Sequence, residues 1–159
     1  MAKRYVVAAP DQTLTSAPGL YALALRLPRP MDITIGALGA HAFPAGQYLY
    51  VGSAWGPGGL AARVGRHLRG DGAVHWHVDY LRAQAEPVAL WWAAHARDEC
   101  AWAGHLLAHP GAEIVVPRFG ASDCACAAHL ARVGETLSLS DFFPGAAHVD
   151  LSATRRGLS

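Results

Sequence analysis

The stretch Gly19-Leu20-Tyr21-Ala22-Leu23-Ala24-Leu25-Arg26-Leu27 lies between Pro18 and Pro28 and is apolar at every position except Arg26. Nine residues of this composition, partly alternating and bounded by a proline on each side, predict a buried β-strand. We therefore expect a sheet that includes residues 19–27.

Two more strands are predicted between this stretch and residue 52. Residues 32–35 alternate between polar and apolar side chains and predict a short second strand. Phe43-Pro44-Ala45-Gly46 has the composition of a turn, and the aromatic and β-branched residues 47–52 predict a third strand. The three strands together suggest an antiparallel meander.

Beyond residue 56 the periodicity becomes helical. Leu60, Val64 and Leu68 recur four residues apart behind a Gly-Pro-Gly-Gly cluster, with arginines between them. This pattern predicts an amphipathic helix with a basic flank. The remaining pattern predicts a short helix at residues 75–82, a strand at 87–94 and a helix at 98–108. A short strand is predicted at 114–116, and residues 124–133 are predicted as helix or strand.

The length and composition predict one folded domain. The chain has 159 residues, of which 52% are hydrophobic and 16% charged, which excludes a disordered protein. We expect a loose leader at residues 1–18, a folded domain at 19–135 and a mobile tail at 136–159.

Three observations favour a soluble cytoplasmic protein. The longest strictly apolar run, residues 88–94, is far shorter than the roughly 20 residues of a membrane span. The apolar stretch near the basic N-terminus stops at Pro10, which is too short for a secretory signal. Three cysteines without such a signal indicate free thiols rather than a disulfide framework.

The charge is unevenly distributed along the chain. Residues 1–70 carry a formal charge of +5 and residues 71–159 a charge of −4, although the whole chain has only +1. A basic half beside an acidic half suggests a local anion-binding surface.

Four short motifs occur in a specific order. Gly19-Leu20-Tyr21 opens the first strand, Tyr50-Val51-Gly52 closes the third, Arg63-Val64-Gly65-Arg66-His67 lies on the following helix, and Glu99 opens a later helix. This order, over residues 19–108, resembles the GIY-YIG endonuclease superfamily. The strings at residues 75–81 and 119–126 resemble its Uri-like prokaryotic branch.

The resemblance implies an α/β fold of the α+β type, with a small three-stranded antiparallel sheet flanked by helices, to which we add a C-terminal strand or helix extension. It also implies hydrolysis of nucleic-acid phosphodiesters, with DNA the favoured partner, and a single divalent cation, Mg²⁺ or Mn²⁺. Tyr21 and Tyr50 would be the motif tyrosines, Arg63 the catalytic arginine and Glu99 the metal ligand. Because Tyr21 and Tyr50 are unusually far apart for this superfamily, the resemblance also implies an insertion around residues 28–43.

The chemistry of these side chains suits that reaction. The Arg63 guanidinium is permanently charged and matches a phosphate with two donors. A carboxylate such as Glu99 is a hard oxygen ligand for Mg²⁺. Tyr21 or Tyr50 would position or deprotonate the attacking water. His67 lies one helical turn after Arg63, on the same face, where it would relay a proton or bind phosphate.

Further side chains are candidates for binding nucleic acid: Arg66, Arg69, His75 and His77. The structural alternatives are that the arginines form a solvated helix face, that both tyrosines are core residues and that Glu99 is a first-turn acid. The functional alternatives are a binding module that does not cleave, or an enzyme that uses the fold on a small substrate.

One sequence pattern is similar to part of a zinc site. Cys124, Cys126 and His129 offer three ligands, a structural zinc site needs four, and Cys100 is the only other cysteine. We therefore expect no structural zinc unless Cys100 or another histidine joins from a distance. Buried small thiols are the simpler interpretation.

Overall fold

A computed structural model describes residues 14–70, 73–134, 143 and 146–151. None of the described helices combines the length and the apolar composition needed to cross a membrane. The described elements are β1 (Gly19–Leu27), β2 (Met31–Thr34), β3 (Ala40–Phe43), β4 (Gly46–Ser53), α1 (Gly59–Arg69), α2 (His77–Arg82), β5 (Glu86–Ala94), α3 (Glu99–Leu107), β6 (Leu130–Val133) and β7 (Ala147–Asp150).

The mixed α+β class is confirmed, but the main sheet has five antiparallel strands in the order β6-β4-β1-β5-β7, not the predicted three. β1 lies in the centre and is buried at every position except Arg26. Its alternate residues point to two separate apolar layers, with Tyr21 facing α1 and α2 and Ala22 facing α3. Both faces of the sheet are therefore covered.

The predicted meander is wrong in its pairing. β1 pairs directly with β4, whereas β2 pairs with β3 in a separate two-stranded hairpin. Ile33 is the only fully buried residue of β2, and this short strand pairs with β3, the next strand along the chain. The hairpin lies in the region, residues 28–43, where the sequence predicted an insertion.

The strand predicted at residues 114–116 is absent from the described chain. Glu113 forms one isolated bridge with Arg132, and Val116 is buried in the core from a turn. The apolar run reflects packing rather than sheet pairing. The segment 124–133, predicted as helix or strand, contains β6 preceded by an irregular stretch.

Parts of the predicted leader and tail belong to the fold. The carbonyls of Thr15 and Ala17 accept the N–H groups of Ala61 and Leu60, at 2.8 and 2.9 Å, and so satisfy donors at the start of α1. The fifth strand, β7, lies within the predicted tail and pairs with β5. Residues 1–13, 71–72, 135–142, 144–145 and 152–159 lie outside the described residues.

Candidate active site

The glycines of the first two motifs allow close approach of neighbouring groups. Tyr21 is paired with Gly52 across β1 and β4, and a Cβ at Gly52 would lie 2.5 Å from the Cζ and Oη atoms of Tyr21. A Cβ at Gly19 would lie 2.3 Å from the carbonyl oxygen of Ala93. Only glycine leaves room for the Tyr21 ring over β4 and for β5 beside the start of β1.

Three rings form a buried cluster at this end of the sheet. The Tyr21 hydroxyl and Nε2 of His67 are hydrogen-bonded at 2.7 Å. The ring centroid of Tyr50 lies 6.2 Å from that of Tyr21 and 6.4 Å from that of His67. This contact is consistent with the prediction that His67 lies on the same face of α1 as Arg63.

Arg63 is held in place by two contacts. Its Nη1 donates to the Ser53 carbonyl at 3.1 Å, and its guanidinium carbon lies 4.0 Å from the centroid of the Trp76 ring. Arg66, three residues later on α1, lies 4.6 Å from the same ring. Because the two arginines flank one aromatic side chain, the half-buried Arg63 is oriented before any substrate arrives.

Asp79 organises the start of α2. Its carboxylate accepts both Nη atoms of Arg66 at 3.2 Å and the N–H groups of His75 and Trp76 at 2.8 Å. Burial alone would raise the pKa of Asp79, but these hydrogen bonds and the Arg66 charge lower it. This role of Asp79 was not predicted, although an acid in the first turn of a predicted helix is a usable signal.

Both tyrosines stay protonated at neutral pH. Burial raises the pKa of Tyr21 and of Tyr50 well above its usual value, and the charge of Glu99 raises both further. Arg63 lowers both pKa values but does not outweigh burial. Neither phenol is therefore suited to remove a proton from another group.

His67 is also neutral. Burial lowers its pKa to about 4, although the Asp79 charge raises it, and Arg63, Arg66 and Arg82 lower it further. Its Nδ1 lies 3.7 Å from Oδ1 of Asp79, which is too long for a hydrogen bond. We assign the proton to Nδ1, facing this carboxylate, so that Nε2 accepts from the Tyr21 hydroxyl.

The low pKa of His67 predicts a pH-dependent loss of stability. The unfolded chain binds a proton at His67 below about pH 6.5, whereas the folded chain resists it down to about pH 4. The stabilisation is therefore complete above pH 6.5 and is lost as the pH falls towards 4, by about 3 kcal/mol in the free energy of unfolding.

Denaturant unfolding between pH 7 and pH 4 measures this loss, with His67→Gln as the comparison. The variant should be less stable at pH 7, and the gap to the wild type should narrow as the pH falls. Asp79, whose pKa is lowered from a lower starting value, titrates in a more acidic window. Parallel stability curves for the two proteins would contradict the assignment.

Glu99 lies in the first turn of α3, after Asp98, whose Oδ1 accepts the Ala101 N–H at 2.9 Å and caps the helix. Oε1 of Glu99 is 2.9 Å from Nδ1 of His129. Burial lowers the pKa of His129, but the hydrogen bond and charge of Glu99 outweigh it, and the pKa is raised. Sequence reasoning did not foresee this contact.

The charges of Arg63 and Glu99 both act on the two motif tyrosines. Arg63 and Glu99 come from different helices, yet Arg63 lowers and Glu99 raises the pKa of both Tyr21 and Tyr50. The arrangement thus combines a fixed cation, which suits a phosphate group, with a carboxylate, which suits a divalent cation.

The predicted nucleic-acid contacts differ in their accessibility. Arg69, at the end of α1, and His75, before α2, are exposed. Arg66 instead pairs with Asp79. His77 points inward, since its Nδ1 accepts the Gly120 N–H at 2.8 Å.

Neither a curated protein nor a solved structure shows significant similarity to the chain. One family model matches residues 20–149, a range that contains the four motifs except Gly19. This model, described as "Domain of unknown function DUF123", represents a GIY-YIG-like family. The match covers most of the chain, and the chain therefore belongs to this family.

Proposed function

We propose that the protein is a metal-dependent nuclease that hydrolyses nucleic-acid phosphodiesters, with DNA as the favoured substrate. The observation that supports this function is that Arg63 packs on Trp76 beside the hydrogen-bonded pair of Tyr21 and His67. The charges of Arg63 and Glu99 also both shift the pKa of the two motif tyrosines. Phosphodiester hydrolysis accumulates negative charge on the phosphoryl oxygens. A site for it needs a fixed cation and hydrogen-bond donors aimed at that charge.

Arg63 supplies the fixed cation. Its contacts with Ser53 and Trp76 hold the guanidinium without pairing it with a carboxylate in the described part of the chain. A half-buried guanidinium oriented in this way gives a scissile phosphate two parallel donors at little cost in side-chain entropy. Arg63 therefore stabilises the charge that develops during cleavage.

The tyrosines position the reacting groups. Since burial raises the pKa of each phenol, we favour positioning of the phosphate or of the attacking water over deprotonation of that water. His67 divides the roles of the two phenols, because Tyr21 donates its one proton to Nε2 of His67 and leaves its oxygen to accept from the attacking water. Tyr50 is then the phenol that donates to the phosphate. His67 is then a positioning residue rather than a proton donor.

Glu99 fits a site for one Mg²⁺ or Mn²⁺ ion. His129 occupies Oε1, and within the described residues Oε2 has no hydrogen-bond partner, while the side chain is 28% exposed. Mg²⁺ commonly takes one or two carboxylates and keeps several waters, so one glutamate suffices. A bound divalent cation would supply Lewis-acid stabilisation of the leaving oxygen.

Arg69 and His75 extend the site along the protein surface. Both are exposed, and His75 packs edge-on against Trp76 with ring centroids 4.6 Å apart, so it flanks the aromatic contact that holds Arg63. We expect the nucleic-acid backbone to pass along this side of α1. Arg66 contributes indirectly, through Trp76 and Asp79.

The test is cleavage of labelled single-stranded, duplex and flap DNA, and of the matching RNAs, with Mg²⁺, Mn²⁺ or a chelator. Metal-dependent cleavage of at least one substrate is the expected result. Binding without cleavage of any substrate would instead favour the second candidate, a module that binds nucleic acid. The observation that favours this alternative is the hydrogen bond between His129 and Oε1 of Glu99, which gives this carboxylate a partner other than a metal ion.

A further inference from the structure

A second cluster of potential ligands lies beside the candidate active site. Sγ of Cys100, Cys124 and Cys126 and one ring nitrogen of His129 all lie within 4.8 Å of one another. Cys100 supplies the fourth ligand that was missing from the group of Cys124, Cys126 and His129. It precedes Cys124 by 24 residues, and α3 places it next to the loop before β6. We propose that these four side chains bind one Zn²⁺ ion in a closed, structural site.

The chemistry of the donors selects the metal. Three thiols and one imidazole form one of the common ligand sets of structural zinc. A tetrahedron with zinc–sulfur and zinc–nitrogen bonds of ordinary length has edges of about 3.5 to 3.8 Å. The contact between Cys124 Sγ and His129 Nε2, at 3.4 Å, is close to such an edge. The other distances between donor atoms, at most 4.8 Å, need to shorten by about 1 Å or less to reach such an edge.

The imidazole is already oriented for this role. Nδ1 of His129 donates to Oε1 of Glu99 at 2.9 Å, which leaves the lone pair of Nε2 directed at the thiols. A carboxylate behind a metal-binding histidine is the usual way to fix its tautomer and ring direction. His129 is buried, so its position is well defined.

The loop that carries two of the thiols is shaped by one arginine. The Arg118 guanidinium donates to the carbonyls of Ala121 and Cys124 at 2.6 Å and of Cys126 at 2.5 Å. This loop contains no helix or strand between residues 117 and 129. The Arg118 charge also offsets the net negative charge that three thiolates and one Zn²⁺ leave behind.

The site would connect three parts of the fold. Cys100 follows Glu99 in the first turn of α3, and the His129 carbonyl accepts the Val51 N–H of β4 at 2.9 Å. Zinc would therefore fix Glu99 beside Tyr50. This inference does not rest on the proposed function, because a structural zinc site would stabilise the fold whether or not the protein cleaves nucleic acid.

The test is elemental analysis of protein purified under reducing conditions without chelator. We expect about one zinc ion per chain. Refolding with Co²⁺ instead should give the sulfur-to-metal charge-transfer absorption and the intense visible bands of tetrahedral thiolate coordination. This measurement on the wild type is decisive even where a variant fails to fold.

The variants Cys100→Ser and Cys126→Ser should lose zinc and melt at a lower temperature than the wild type. Asp123→Asn is the matched control, because Asp123 is exposed next to Cys124 but is not part of the cluster. It should retain the metal. Metal-free reduced protein without a tetrahedral cobalt spectrum, a disulfide between two of the three cysteines, or full zinc content in both serine variants would overturn the proposal.

Discussion

Replacing Arg63 by alanine should lower the rate of metal-dependent DNA cleavage by about 10²-fold or more, the effect seen for other preorganised groups that stabilise developing charge. It should also weaken binding of uncleaved DNA, since the guanidinium contacts the phosphate in the ground state as well. The fold should persist, because Arg66 still packs on Trp76 and keeps its pair with Asp79. Single-turnover cleavage rates and metal-free binding constants separate the two effects.

The matched control is Arg29→Ala, which removes the same charge from the exposed turn after β1. Tyr21 and the far end of β1 are about 20 Å apart along the strand, so this variant should cleave like the wild type. Arg63→Lys should recover part of the binding but little of the rate, because an ammonium group lacks the planar pair of donors. Equal cleavage by Arg63→Ala and the wild type would remove Arg63 from the catalytic set.

Much of the fold was predictable because local patterns determine it. β1, β4 and β5 begin and end within one residue of the predicted positions, and α1 contains the predicted periodic residues, since prolines, glycines and hydrophobic periodicity mark these elements. Strand pairing was less predictable. β2 has the alternation of a strand, but alternation does not distinguish β3 from β1 as its partner.

The motif pattern of the site identified four side chains on different elements, and the family match begins one residue after this pattern does. It missed the side chains that hold them. Arg63 and Arg66 are three residues apart on α1, a spacing that places them on one helix face, but only the packing of α2 brings Trp76 between them.

The hydrogen-bond partner of Glu99 was also unpredictable, because tertiary structure alone brings the two residues together. His129 follows Glu99 by 30 residues, across α3 and an irregular loop, and nothing local links the two. Cys100 was equally remote from Cys124 and Cys126. Ligand counts taken from sequence spacing therefore underestimate clusters that tertiary structure assembles.

Replacing Glu99 by glutamine should abolish most of the metal-dependent cleavage, again by about 10²-fold or more, because the amide oxygen is a poor ligand for Mg²⁺ and carries no charge. The amide oxygen still accepts the N–H of His129, so the orientation of that ring should survive. DNA affinity without metal should hold or rise, because the substitution removes a negative charge from the phosphate site. Cleavage rates, metal-free binding and zinc content measured on the same preparation test all three statements.

Glu99→Ala separates the two functions that one carboxylate serves. It removes the cation ligand and also the acceptor behind His129, so it should lose cleavage and bind zinc about 10- to 100-fold more weakly. If the glutamine variant cleaves like the wild type while the alanine variant does not, Glu99 acts by positioning His129, and another group holds the cation. If both variants cleave normally, the proposed role of Glu99 in the reaction is wrong. A third outcome is that both variants lose cleavage and only the glutamine variant retains zinc. Glu99 then serves two adjacent sites, with one carboxylate oxygen binding the divalent cation and the other accepting from His129.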